Sequence, residues 1–152
     1  QWSSEDEKSV QKALALTKLS DSAGVLVDHL SGGQRQRAWI AMALAQDAHL
    51  MLLDEPTTYL DIAHQVEILE LLKKLNIEEA RTVVMVLHDI NQGSRYADHV
   101  VAMLNGDVFI QGAPDQVVTA SMMEKVFGLK AVVIADPATG TPLCVPDAPE
   151  NA

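Results

Sequence analysis

Two short apolar runs, HLMLL at residues 49–53 and TVVMVL at residues 82–87, constrain what this chain can fold into more than any other feature. Each is almost free of charge, and each ends abruptly on ionisable groups, Asp54-Glu55 after the first and His88-Asp89 after the second. Continuous apolar runs of this length, without alternation, read as strands buried on both faces. Between them, Asp61 is placed to cap a helix that carries Ile62, Val66, Leu69 and Leu72 on one face. Strand, helix, strand in that order predicts an α/β layered fold with a largely parallel sheet.

The flanking sequence fits the same frame. Residues 9–19, SVQKALALTKL, have roughly helical apolar spacing, and a loop with Gly24 follows. Ser31 and Gln34 have the spacing of a helix-capping box ahead of the apolar-rich RQRAWIAMALAQ, a helix expected to end near Asp47. Asp89 is placed to cap another helix. HVVAML and DVFIQ, joined by Asn105-Gly106, predict a β-hairpin, because both residues tolerate the positive φ of a type I′ turn. A helical SMMEKVF closed by Gly128, a strand AVVIA and the turn-rich DPATGTP complete the chain. Trp2 and Trp39 are read as core or interface contacts, and His29, His49, His64 and His99 as surface or helix residues without metal-ligand spacing.

Composition narrows the function. Eleven basic against 21 acidic residues give a formal net charge of -10, which repels phosphate backbones and argues against direct nucleic-acid binding. No apolar run reaches the length of a membrane-spanning helix. The single Cys144 cannot form an internal disulfide, which is compatible with a reducing compartment. The polar, acidic start QWSSEDEKS has neither the pattern of a signal peptide nor an initiator Met, and reads as a cut edge.

The chemistry concentrates in three places. In LSGGQ, residues 30–34, two glycines behind a hydroxyl at a helix start let backbone N–H groups approach an anion closely, although an ordinary helix cap has the same composition. Asp54 and Glu55 are costly at the end of a buried strand unless a cation or a reacting group meets them; a plain polar strand exit is the alternative. His88 taken alone reads as a hydrogen-bonded structural histidine rather than a catalytic one.

Taken in order, LSGGQRQR, LMLLDEPTTYLD and VMVLHD resemble the signature motif, the Walker B motif with its D-loop, and the H-loop of ABC-type ATPases, and the resemblance covers nearly the whole chain. It implies a P-loop NTPase-like layered fold and the cofactors ATP and Mg²⁺. It also implies roles: Asp54 holds Mg²⁺ through water, Glu55 is the general base, and His88 contacts the γ-phosphate. Ser31, Gly32, Gly33 and Gln34 would bind the nucleotide of a partner subunit, and Asp61 would couple the two sites. The D-loop reads Thr58-Tyr59-Leu60-Asp61, bulkier at Tyr59 than is common in the family. None of the eight glycines belongs to a G-x-x-x-x-G-K-[ST] loop. The resemblance therefore implies a Walker A region before Gln1, a fold incomplete on its N-terminal side, and no ATPase activity from these 152 residues alone. The missing strand would lie between TVVMVL and HVVAML, so self-association through residues 82–87 or 99–104 is expected.

The stretch from His88 to Val118, with FGL and DPATGTPLCVP after it, is similar to the ATPase subunit of bacterial ferric-siderophore importers, with haem and cobalamin importers as near relatives. That implies a head-to-tail second ATPase subunit, a transmembrane permease and, indirectly, a substrate-binding protein as partners, at the cytoplasmic face of the membrane. In this frame residues 1–47 belong to a helical subdomain, 48–112 to the ATPase core, and 113–152 to C-terminal helices and short strands. A non-transport ABC ATPase and a naturally short, non-hydrolysing regulatory module are the alternatives.

Overall fold

A computed structural model describes residues 2–147. The chain divides into two compact units, one running through Val86 and the other beginning at Leu87. This boundary falls at neither of the expected segment ends, after residues 47 and 112. The reason is that the first two helices share a core with the strand-helix-strand that follows them. Residues 148–152 of the expected C-terminal segment lie outside the described residues.

In the first unit, helix α1 (Ser4–Leu16) begins five residues earlier than its apolar spacing suggests, because Ser3 and Asp6 form a reciprocal capping box. Helix α2 (Gly32–Ala45) starts and stops where the sequence predicts. Strand β1 (Leu50–Asp54) and strand β2 (Thr82–Val86) pair in parallel, Leu50 with Thr82 through Asp54 with Val86, and helix α3 (Ile62–Glu79) connects them. The core joins Ala13 of α1, Ile40, Ala41 and Leu44 of α2, Met51 of β1, and Ile68, Leu72 and Leu75 of α3. The buried stripe of α3 is Ile68, Leu69, Leu72 and Leu75, of which Ile68, Leu72 and Leu75 face this core; Ile62, at 80% exposure, and Val66 lie off it. Of the face expected from the spacing, Leu69 and Leu72 are buried and Ile62 and Val66 are not, because packing against α2 and β1 begins only at Ile68.

Neither strand is buried on both faces. Met51 is buried, but Leu50 and Leu52 on β1 and Val84 and Val86 on β2 are all more than half exposed, Leu52 at 72%. One face of this two-stranded sheet packs on the helices, and the other presents branched apolar side chains to solvent. Trp2 and Trp39 are also largely exposed.

Arg81 ties the loops at the starts of the two strands together. It is buried, and its guanidinium donates to the Ala48 carbonyl at 2.7 Å and to Asp47 Oδ1 at 2.6 Å. Asn76 Nδ2 in turn donates to the Arg81 carbonyl at 2.8 Å. Both linked loops use left-handed residues, Asp47 (φ 53°) and Ala80 (φ 52°), at the ends of the preceding helices.

The second unit contains helix α4 (Ile90–Tyr96), capped by Asp89 as expected, and the hairpin of β3 (Val100–Leu104) and β4 (Asp107–Gly112). Asn105 and Gly106 both have positive φ, 53° and 89°, as the turn requires. Two short helices follow, α5 (Pro114–Val117) and α6 (Ala120–Met122), then a π-helical turn closed by Gly128 at φ 68°. Strand β5 (Ala131–Ala135) pairs antiparallel with β6 (Pro142–Pro146), which begins at the last residue of the turn-rich DPATGTP. The layered α/β class holds, but among the described residues parallel pairing is confined to β1–β2. The other two pairs are joined by short turns, and such turns can only reverse the chain.

Helix α4 is fastened to β6 by side chains that imitate main chain. Asn91 donates from Nδ2 to the Cys144 carbonyl (3.0 Å) and accepts at Oδ1 from the Cys144 N–H (2.7 Å). Fully buried Ser94 donates to the Pro142 carbonyl at 2.7 Å. Burial also pushes the Cys144 thiol up from its ordinary pKa.

The open apolar face predicts self-association of the 152-residue chain, and Val84→Lys reduces it by placing a charge in the middle of β2. Sedimentation of both forms checks this. The Arg81 hydrogen bond holds the Asp47 carboxyl below the usual carboxylate range, with the Arg81 charge adding to it. Because the folded pKa is depressed, the contribution is complete above the unfolded value of about 3.9 and disappears as pH falls through the folded one. Arg81→Met is therefore less stable than the parent above about pH 4 by urea denaturation, and the gap narrows in more acidic solution.

Candidate functional site

Asp54 ends β1 and is exposed, so the carboxylate pair is not the buried one that two-faced burial of the strand would have produced. Glu55 follows in the left-handed conformation, φ 49°, which turns the chain sharply out of the strand. Its half-buried side chain accepts at Oε2 from Thr58 Oγ1 at 2.9 Å, and its carbonyl accepts from the Thr58 N–H at 3.1 Å. Pro56 and Thr57 are buried beneath this turn, whereas Tyr59, also left-handed at φ 63°, is wholly exposed. Two non-glycine residues held at positive φ within five positions mark a segment whose backbone shape is imposed by its surroundings.

The turn delivers the chain to Asp61, the N-cap of α3. Its Oδ1 accepts from the His64 N–H at 2.9 Å and its Oδ2 lies 2.8 Å from His64 Nδ1. These two contacts, the backbone one first, hold the Asp61 carboxyl below the usual range. Gln65 Nε2 donates to the Leu60 carbonyl at 2.9 Å and secures the last residue of the turn.

The Ser31-Gly32-Gly33 turn packs against this same helix start. Ser31 Oγ accepts from the Gln34 N–H (3.3 Å), and Gln34 Oε1 accepts from the Ser31 N–H (3.0 Å). Both side chains are thus engaged in the capping box that the sequence predicts. Gly32 lies beside Leu60, and Gly33 is buried against His64. A Cβ on Gly33 would lie 2.7 Å from His64 Cδ2 and 3.2 Å from Cγ, so a side chain there must displace the His64 ring. Arg37, one turn further along α2, reaches Glu67 of α3 at 2.7 Å and braces the same contact.

The first unit therefore brings together Ser31, Gly32, Gly33, Gln34 and Asp61, with Asp54 and Glu55 leading into the same turn. His88 belongs to the second unit, where it is exposed immediately before the Asp89 cap. His64 was read from the sequence as an unremarkable helix residue. Its spacing of three from Asp61 was the available signal for the cap contact, but nothing local announced its contact with Gly33.

Residues 2–58 match the family model described as ABC transporter. The ferric enterobactin transport ATP-binding protein of Escherichia coli (strain K12) is 54% identical over 145 residues, 95% of this chain and 54% of that protein. The chain belongs to the ABC transporter ATP-binding family. A petrobactin import ATP-binding protein of Bacillus anthracis is likewise 54% identical, over 96% of this chain and 54% of its own length. The chain spans about half the length of the curated relatives it matches. A solved metal-chelate type ABC transporter in an inward-facing conformation superimposes with a TM-score of 0.87 at 32% identity, covering 97% of this chain and 60% of that one. Membership of this family places the chain in the P-loop NTPase class that the motifs imply.

The Gly33–His64 contact predicts that Gly33→Ala destabilises the first unit by about 1–3 kcal/mol through overpacking, even though alanine is the better helix former. Urea unfolding measures it.

Proposed function

We propose that this chain supplies the signature turn, the catalytic carboxylates and the H-loop histidine of an ATPase that powers import of a ferric siderophore or related iron chelate. The reading rests above all on one observation: the Ser31-Gly32-Gly33 turn and the Asp61-capped start of α3 are packed as one assembly, entered directly from Asp54-Glu55. The names of the relatives support the substrate class, since two that match over most of this chain are named for ferric enterobactin transport and petrobactin import.

Phosphoryl transfer is catalysed chiefly by positioning and charge neutralisation, and the residues suit that division of labour. The α2 N-terminus offers backbone N–H groups and the positive end of the helix dipole to a phosphate of the nucleotide held by the partner subunit, with Gly32 exposed and lacking a side chain to block approach. Asp54, a single exposed carboxylate at a strand end, fits the usual mode in which Mg²⁺ takes one or two carboxylates and fills its other positions with water and phosphate oxygens. It would hold the ion through water, and the ion when bound supplies charge neutralisation at the phosphates. Glu55, held by Thr58 in its turn, accepts the proton of the attacking water. His88 contacts the γ-phosphate. Asp61 links the site to that of a second subunit arranged head to tail, and a permease at the cytoplasmic face of the membrane receives the resulting motion. Among the described residues no helix is long and apolar enough to cross a membrane, so these partners would supply the passage. These 152 residues contain no Walker A sequence and, by themselves, are inactive in ATP hydrolysis.

In the complete protein, Glu55→Gln keeps the side-chain shape but cannot accept a proton. Turnover falls by about 100-fold or more while ATP affinity stays near that of the parent. Steady-state hydrolysis with equilibrium nucleotide binding tests this, and unchanged turnover removes Glu55 from the role of base.

A further inference from the structure

His64 occupies both oxygens of Asp61 at once. Its backbone N–H donates to Oδ1, and its ring Nδ1 lies at hydrogen-bonding distance from Oδ2, which fixes the imidazole with a proton on Nδ1 opposite an ionised carboxylate. The far edge of the same ring, Cδ2, occupies the space where a side chain on Gly33 would sit. One side chain thus touches the two elements that the nucleotide site asks to be in register: the carboxylate at the start of α3 and the glycine turn at the start of α2. Asp61 is well exposed and Gly33 is buried, so the ring carries a constraint from the surface into the packed helix start.

We propose that His64 is a positioning residue of the nucleotide site, whose ring pins Asp61 with one edge and abuts Gly33 with the other, so that the glycine turn and the Asp61 carboxylate keep one relative position. The proposal rests on the reading of Ser31, Gly32, Gly33 and Asp61 as nucleotide-site residues only for its functional consequence; the coupling itself is a property of the packing. The arrangement also accounts for glycine at position 33 without reference to a ligand. A methyl group there displaces the ring, and displacing the ring releases Asp61.

Substitutions that divide the ring's two contacts test this. His64→Phe keeps the edge against Gly33 and loses the Nδ1 donor. His64→Asn keeps a donor near the Nδ1 position and loses the far edge, and His64→Ala loses both. In the parent, Gly33→Ala raises the unfolding constant about tenfold; in the His64→Ala background it raises it less than about threefold, because the clash is gone and alanine favours the helix. With glycine amides labelled, Asp61→Asn shifts the Gly33 resonance when His64 is present and leaves it in place in His64→Ala. The Asp61 carboxyl titrates at higher pH in His64→Ala and His64→Phe, and returns toward the parent value in His64→Asn. In the complete protein, His64→Phe lowers kcat for ATP with little change in KM. An equal cost of Gly33→Ala in both backgrounds, or a Gly33 resonance indifferent to Asp61→Asn in the parent, overturns the coupling. Coupling with unaltered kcat in all three variants overturns the positioning role. A complete parent protein that hydrolyses no ATP defeats the nucleotide-site reading, while the unfolding and resonance measurements still decide the coupling.

Discussion

The buried stripe of α3 is the interaction on which the first unit depends. Ile68, Leu69, Leu72 and Leu75 are almost completely removed from water, and three of them share a core with Ile40, Ala41 and Leu44 of α2 and with Met51 of β1. Each such side chain contributes about 1.5–3 kcal/mol on burial, more than any single surface ion pair here can supply. Because this stripe begins only at Ile68, the first turn of α3 is free to serve another purpose. There it presents Asp61 and His64 to the start of α2 rather than adding apolar contact. Core and site are thus separate stretches of one helix, and the rigidity of the first positions the second.

The polar fastenings follow a similar logic. Arg81 holds the approaches to β1 and β2 together by donating to a carbonyl and a carboxylate over more than thirty residues of sequence. In the second unit, Asn91 and Ser94 hook α4 to β6, so the helix that begins just after His88 is anchored at its far side by the last strand described. These contacts cost little to leave solvated and much to leave buried and unpaired, which makes them registration devices more than sources of stability.

What could be seen in the sequence is what is local. The caps at Ser31, Asp61 and Asp89 and the turn at Asn105-Gly106 depend on residues two or three positions apart, and all form as their spacing predicts. The three motifs identified the family and with it the candidate residues. Contacts that close over long separations were not visible: the hook of Asn91 on Cys144, the clamp of Arg81, and the ring of His64 against Gly33. The same limit explains the misread strands. An uncharged run announces apolar side chains, but whether a second layer covers them is decided elsewhere in the chain, and here Leu50, Leu52, Val84 and Val86 remain open. It also explains why β6, with a proline at each end, carries no strand signal of its own and is defined by its pairing with β5.

Glu55 has a consequence of its own. A residue with a Cβ at φ 49° costs about 1 kcal/mol relative to glycine, so folding alone favours glycine at this position. Glycine would relax the turn and delete the carboxylate. Selection for a sturdier chain and selection for a working site therefore pull this position in opposite directions, and any search of sequence space guided by thermostability alone would tend to discard the residue on which the chemistry is proposed to rest.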